Sequence, residues 1–110
     1  MEETNELLEK LSANSLINEI AFQQNAIVSK QIIKKPNGNV TLFAFDKDES
    51  LTEHTTPFDA LVYIVDGIMK ITIGGKPFEV KAGEILLMPA NVPHGLKAEV
   101  PTKMLLTMIK

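Results

Sequence analysis

From residue 26 onward the chain reads as short apolar runs cut by turn signals. Ala26 to Lys34 is rich in β-branched residues and predicts a strand, ended by the turn Pro36-Asn37-Gly38-Asn39. Val40, Leu42 and Ala44 then alternate with Thr41, Phe43 and Phe45, which predicts a strand with apolar groups on both faces. Asp46 to Glu53 is polar and reads as a loop. Ala60 to Val65 is a continuous apolar strand stopped by Asp66-Gly67. Ile68 to Ile73 alternates and ends at Gly74-Gly75, a second hairpin signal. Phe78 to Val80, Glu84 to Met88, His94 to Ala98 and Lys103 to Ile109 complete the set, with Pro89 to Pro93 as a loop.

Many short strands with turns every 8–12 residues predict an all-β sandwich or barrel rather than a parallel α/β sheet. Ahead of them, residues 4–13 read as a short helix. Thr4 can cap it, Glu6 suits its positive end, and Leu7, Leu8 and Leu11 form an apolar stripe. That stripe needs a partner surface, either the barrel or a second subunit. Leu16, Ile17, Ile20 and Phe22 follow no clear period. Residues 1–25 are therefore expected as a helix and lead-in segment, and 26–110 as one barrel domain, the natural count for 110 residues.

Composition narrows the function classes. The chain is 45% hydrophobic and 23% charged, ordinary for a globular protein. Its net charge is −3, and all 11 basic residues are lysines. Guanine readout and bidentate phosphate binding both lean on Arg, so no nucleic-acid partner is expected. The absence of Cys removes disulfides, thiolate catalysis and zinc–cysteine sites. The stretch MEETNELLEK has no apolar signal region, and no apolar run could span a bilayer, so the expectation is a cytoplasmic protein without a membrane partner.

Two segments resemble the paired motifs of the cupin family. The first family motif runs Gly, five residues, His-x-His, three or four residues, Glu, six residues, Gly. Within DESLTEHTTPFDALVYIVDG, residues 48–67, His54 matches the first His and Gly67 the last Gly, while Asp48, Thr56 and Ala60 stand at the first Gly, the second His and the Glu. The second motif runs Gly, five residues, Pro-x-Gly, two residues, His, three residues, Asn. In GEILLMPANVPHGLKA, residues 83–98, Gly83, Pro89 and His94 match, while Asn91 and Ala98 replace Gly and Asn. The resemblance covers about residues 40–109. It implies a small single-domain cupin: a double-stranded antiparallel β-helix, or jelly-roll barrel, with the short N-terminal helix placed before it.

His54, Thr56 and Ala60 share strand parity, so without a bulge they point the same way, beside the strand that starts at His94. The expected pocket is therefore His54, Thr56, Ala60 and His94. Cupins of this type hold a divalent metal with three His and a Glu. Here only His54 and His94 remain, which implies at most a weak site. Asp59 and Glu53 have the wrong parity unless a bulge near Pro57 intervenes. Met69, Met88, Met104 and Met108 read as core, and Tyr63 as an outer-face residue. Two readings stand open: a small-molecule-binding module with a degenerate two-His pocket, or a metal-dependent oxygenase or isomerase using the same histidines. A homodimer is expected, because the Ala26 to Lys34 strand, the N-terminal stripe and MLLTMI exceed what one small barrel needs.

Overall fold

The computed structural model describes residues 12–110. The predicted helix over residues 4–13 falls almost wholly outside this range; the described lead-in carries a single short 3-10 turn, Leu16–Asn18. Nine strands follow: β1 (Ile27–Lys35), β2 (Gly38–Phe45), β3 (Ser50–His54), β4 (Asp59–Asp66), β5 (Ile68–Ile73), β6 (Lys76–Lys81), β7 (Ile85–Met88), β8 (His94–Ala98) and β9 (Thr102–Ile109). All pairings are antiparallel. They form a five-stranded sheet, β1-β2-β9-β4-β7, facing a four-stranded sheet, β3-β8-β5-β6. This is the expected jelly-roll barrel.

Turn chemistry accounts for the hairpins. Lys35 pairs with Gly38, leaving Pro36-Asn37 as a two-residue loop. Ile73 pairs with Lys76 around Gly74 and Gly75, both with positive φ, the geometry that two-residue hairpins require. One expectation fails. Asp46 to Glu53 is not all loop, because Ser50–His54 forms β3. Its polar composition hid it: only Leu51 of β3 packs against the core, and the rest of the strand is exposed.

Alternating residues of the two sheets fill the barrel. Phe45, Val62, Ile64, Met69, Ile71, Met88, Leu96 and Met104 are buried together, with Met108 packed against them. All four methionines named from the sequence thus pack into or against the core. The two-faced apolar pattern of β2 also has a cause. Phe43 and Phe45 point into the barrel, while Leu42 and Ala44 point outward and are buried with Ile20 and Leu16 of the lead-in. The lead-in is pinned there by Glu19 to Lys30 at 3.0 Å and by Lys103 Nζ donating to the Ile17 carbonyl at 2.6 Å. Among the described residues, no helix is long and apolar enough to cross a membrane.

Candidate functional site at the barrel mouth

One inserted residue decides which side chain meets His94. Leu51 pairs with Leu96, so unbroken alternation would set Glu53 opposite His94. A register shift between Leu51 and His54 adds one residue on β3, and His54 takes the place instead. An imidazole therefore faces the barrel, while Glu53 turns to the outer face. The two rings lie edge to face, with centroids 4.5 Å apart and planes at 67°. His94 is buried and His54 is exposed at the rim.

Both rings are oriented by the backbone. His54 Nδ1 lies 2.8 Å from the Thr52 carbonyl and His94 Nδ1 lies 3.3 Å from the Val92 carbonyl. A carbonyl only accepts, so each Nδ1 carries a proton, and in its neutral form such a ring presents Nε2 as an acceptor. No hydrogen-bond partner for either Nε2 occurs among the described residues. Burial lowers the pKa of His94, the nearby His54 lowers it further, and the bond to Val92 opposes them.

The loops around the pair are tied together. The Asn91 N–H donates to the Thr56 carbonyl at 2.8 Å, and the Ala90 N–H donates to Asp59 Oδ1 at 2.9 Å. Asp59 thus holds a loop, and the shift on β3 lies before His54 rather than near Pro57. The Thr56 hydroxyl accepts the Phe58 N–H at 3.3 Å within its own turn. The expectation that His54, Thr56 and Ala60 share one strand face is overturned. His54 ends β3 in the four-stranded sheet, Thr56 sits in the connection, and Ala60 belongs to β4 in the facing sheet. Ala60 does point into the barrel, flanked in register by Met88 and Met108. Where the family motif has a carboxylate, this chain has a methyl between two thioethers.

The sequence profile described as Cupin domain matches residues 41–110. The chain is a cupin. A cupin 2 conserved barrel domain protein from Leptotrichia buccalis is 46% identical over 92% of this chain, with a TM-score of 0.88; the match spans 49% of that longer protein. A conserved Streptococcus pyogenes protein of unknown function is 31% identical, covering 90% of this chain and 87% of its own, with a TM-score of 0.87. A cupin superfamily protein from Desulfitobacterium hafniense shares the fold at 24% identity and a TM-score of 0.79, with 82% of this chain and 83% of that one covered. Comparison with curated proteins finds no match.

The departures of this cupin from the family motifs fall into two physical kinds. Gly67 and Gly83 keep the family's glycines and have φ of 93° and 87°. Asp48 and Asn91 replace the other two, yet their φ values are 69° and 65°. Asp and Asn are among the side chains that tolerate this left-handed region best, so the backbone path is kept. Thr56 and Ala60, by contrast, remove ligand chemistry and keep only the scaffold.

A divalent metal needs more than this mouth offers. Among the described residues no cluster of three or more His, Cys, Asp or Glu comes together. Catalytic zinc ordinarily takes three protein ligands, and a facial iron triad needs a carboxylate. Two imidazoles alone do not fit a tightly held ion. A separate recess of about 340 Å³ lies on the outer face of the four-stranded sheet, lined by Glu53, Lys70, Thr72, Gly95 and Lys97. It exists because Gly95 has no side chain there. Glu53, Lys70 and Lys97 at its rim are exposed. The sequence signal missed for the site was the bulge, which leaves no mark in composition.

Proposed function

We propose that this cupin binds a small molecule at the barrel mouth, with His54 and His94 as polar anchors above the buried Ala60 and Met88 and the partly buried Met108. The observation that carries the reading is the imidazole pair itself. Each ring is fixed through Nδ1 to a backbone carbonyl, and among the described residues neither Nε2 has a hydrogen-bond partner. A mostly apolar site with a few convergent polar atoms is the usual make-up of a ligand pocket. The flexible thioethers of Met88 and Met108 can adjust to a guest. Thr56 contributes by positioning, since its carbonyl holds the loop that precedes His94. The lack of cysteine fits a reducing cytoplasmic setting.

The test is a fragment titration followed by amide and imidazole NMR shifts. Binders should move the signals of His54, His94 and Ala60, and the effect should vanish in His54→Ala. Shifts confined to Lys70, Thr72 and Lys97 would transfer binding to the outer recess and sink the proposal.

The second reading, a metal-dependent oxygenase or isomerase, draws on the same Nδ1–H···O=C contacts, because ligating histidines are oriented in this way. Elemental analysis after dialysis separates the two. Near-stoichiometric metal that disappears in His54→Ala favours the enzyme; its absence favours the binding module.

A further inference from the structure

Gly95 stands inside β8, where the backbone does not call for glycine. Its φ lies outside the left-handed region. An added Cβ would meet the Leu51 carbonyl oxygen at 3.4 Å and the Glu53 nitrogen at 3.5 Å, ordinary contact distances. A glycine inside a strand loses more entropy on folding than any other residue, and it often marks a place where a ligand approaches the backbone. The space its missing side chain leaves is the outer recess of about 340 Å³. Polar side chains stand around that space in register. Thr72 is the β5 partner of Gly95, and Glu53, turned outward by the shift on β3, borders it on the other side. Two residues along β8, about 7 Å away, Lys97 pairs in register with Lys70. Lys70 is already committed to Glu99, at 3.2 Å. Neither Lys97 nor Glu53 makes an ion pair among the described residues. One cation and one anion without a counter-charge thus line the same glycine floor.

We propose that this recess is a second binding site, for a small zwitterion of the α-amino acid class. The ligand carboxylate meets Lys97 Nζ and the Thr72 hydroxyl, its ammonium meets Glu53, and its Cα stands over Gly95. A lone anion would lie beside the Glu53 carboxylate, and a lone cation beside the Lys97 ammonium. A ligand with both charges makes a charge-assisted hydrogen bond to each and meets no repulsion. The volume is at the lower end of the range for ligand pockets, about 300–1,000 Å³, which suits a small guest. Any side chain at position 95 would occupy the same space. The site does not depend on the barrel mouth. Successive residues of a strand face opposite ways, so His94 looks into the barrel and Gly95 onto the outer face.

The test is an amide NMR titration of the full chain with each standard α-amino acid, with acetate and ethylammonium as single-charge controls. At least one amino acid should shift the Glu53, Thr72, Gly95 and Lys97 signals to saturation at millimolar concentration, and neither control should. Gly95→Ala should raise the urea midpoint and still weaken that binding at least about tenfold, the mark of a residue that serves a ligand rather than the fold. Lys97→Gln and Glu53→Gln, both at exposed side chains, should each weaken it at least about threefold, and they decide the matter if Gly95→Ala folds poorly. Lys34→Gln, on β1 of the other sheet, should leave it unchanged. The absence of a saturable shift with any amino acid at about 50 mM overturns the proposal. So does acetate that binds as tightly as the amino acid, or binding that survives the recess variants. An amino acid that moves His54 and Ala60 while these four signals stay still belongs to the mouth, and that result overturns the recess site as well.

Discussion

The two ends of the barrel use polar groups in opposite ways. At the closed end Thr102 is fully buried, and its hydroxyl is engaged both as donor and as acceptor. It lies 3.0 Å from the Ile68 carbonyl and 2.8 Å from that of Val100, and accepts the Ile68 N–H at 3.3 Å. Gly67 packs against it so closely that an added Cβ would stand 2.5 Å from the Pro101 carbonyl oxygen. At the open end His54 and His94 use one nitrogen each on the backbone, and the other has no partner among the described residues. A polar group engaged as both donor and acceptor inside the protein holds the fold. One with an idle lone pair at an opening is available to a guest.

The largest expected effect is at the closed end. Gly67→Ala forces a left-handed φ of 93° on an L side chain and drives its Cβ into the backbone of Pro101 and Thr102, which cannot yield. Urea unfolding should show a loss of about 2–4 kcal/mol. Next comes Thr102→Val, which keeps the shape and strips the hydroxyl from the Ile68 amide. A loss of about 1 kcal/mol is expected, because that part-buried amide loses its side-chain partner. If either change is neutral, the closed end is not the rigid half of the comparison.

The mouth should reveal itself through pH. His94 has its pKa lowered by burial and by His54, whereas in the unfolded chain it titrates near 6.5. Above that value neither state binds the proton, and the full stability is present. As pH falls through 6.5 the unfolded chain takes up a proton that the native ring resists, so stability declines until the native ring titrates too. Urea midpoints should therefore drop between pH 7.5 and 5.5, and His94→Gln should flatten that part of the profile. The smallest expected effect on stability is His54→Ala, within about 0.5 kcal/mol because the ring is exposed at the rim. The same change should abolish fragment binding at the mouth. A destabilisation as large as that of Thr102→Val would make His54 a structural residue and erase the contrast between the ends.

Much of this was readable along the chain. Short β-branched runs, the Asn-Gly and Gly-Gly turns and the spacing from His54 to Gly67 and from Gly83 to His94 determine the strands and the barrel. Side-chain alternation and turn geometry are local properties, set within a few residues. Even Asp48 and Asn91, which break the family pattern, do so with residues suited to the same backbone. What local reading could not supply was register. β3 was hidden because it is mostly polar, and the single extra residue after Leu51 reverses every side chain that follows, bringing His54 inward and Glu53 outward. Parity counted through Thr56 to Ala60 failed for the same reason: the chain changes sheets between them. Only tertiary contacts determine that Asp59 holds the Ala90 amide, that Ala60 lies between Met88 and Met108, and that Leu16 and Ile20 of the lead-in cover Leu42 and Ala44. Those outcomes depend on residues far apart in sequence meeting across a closed barrel, where one residue of shift moves a side chain from one face to the other.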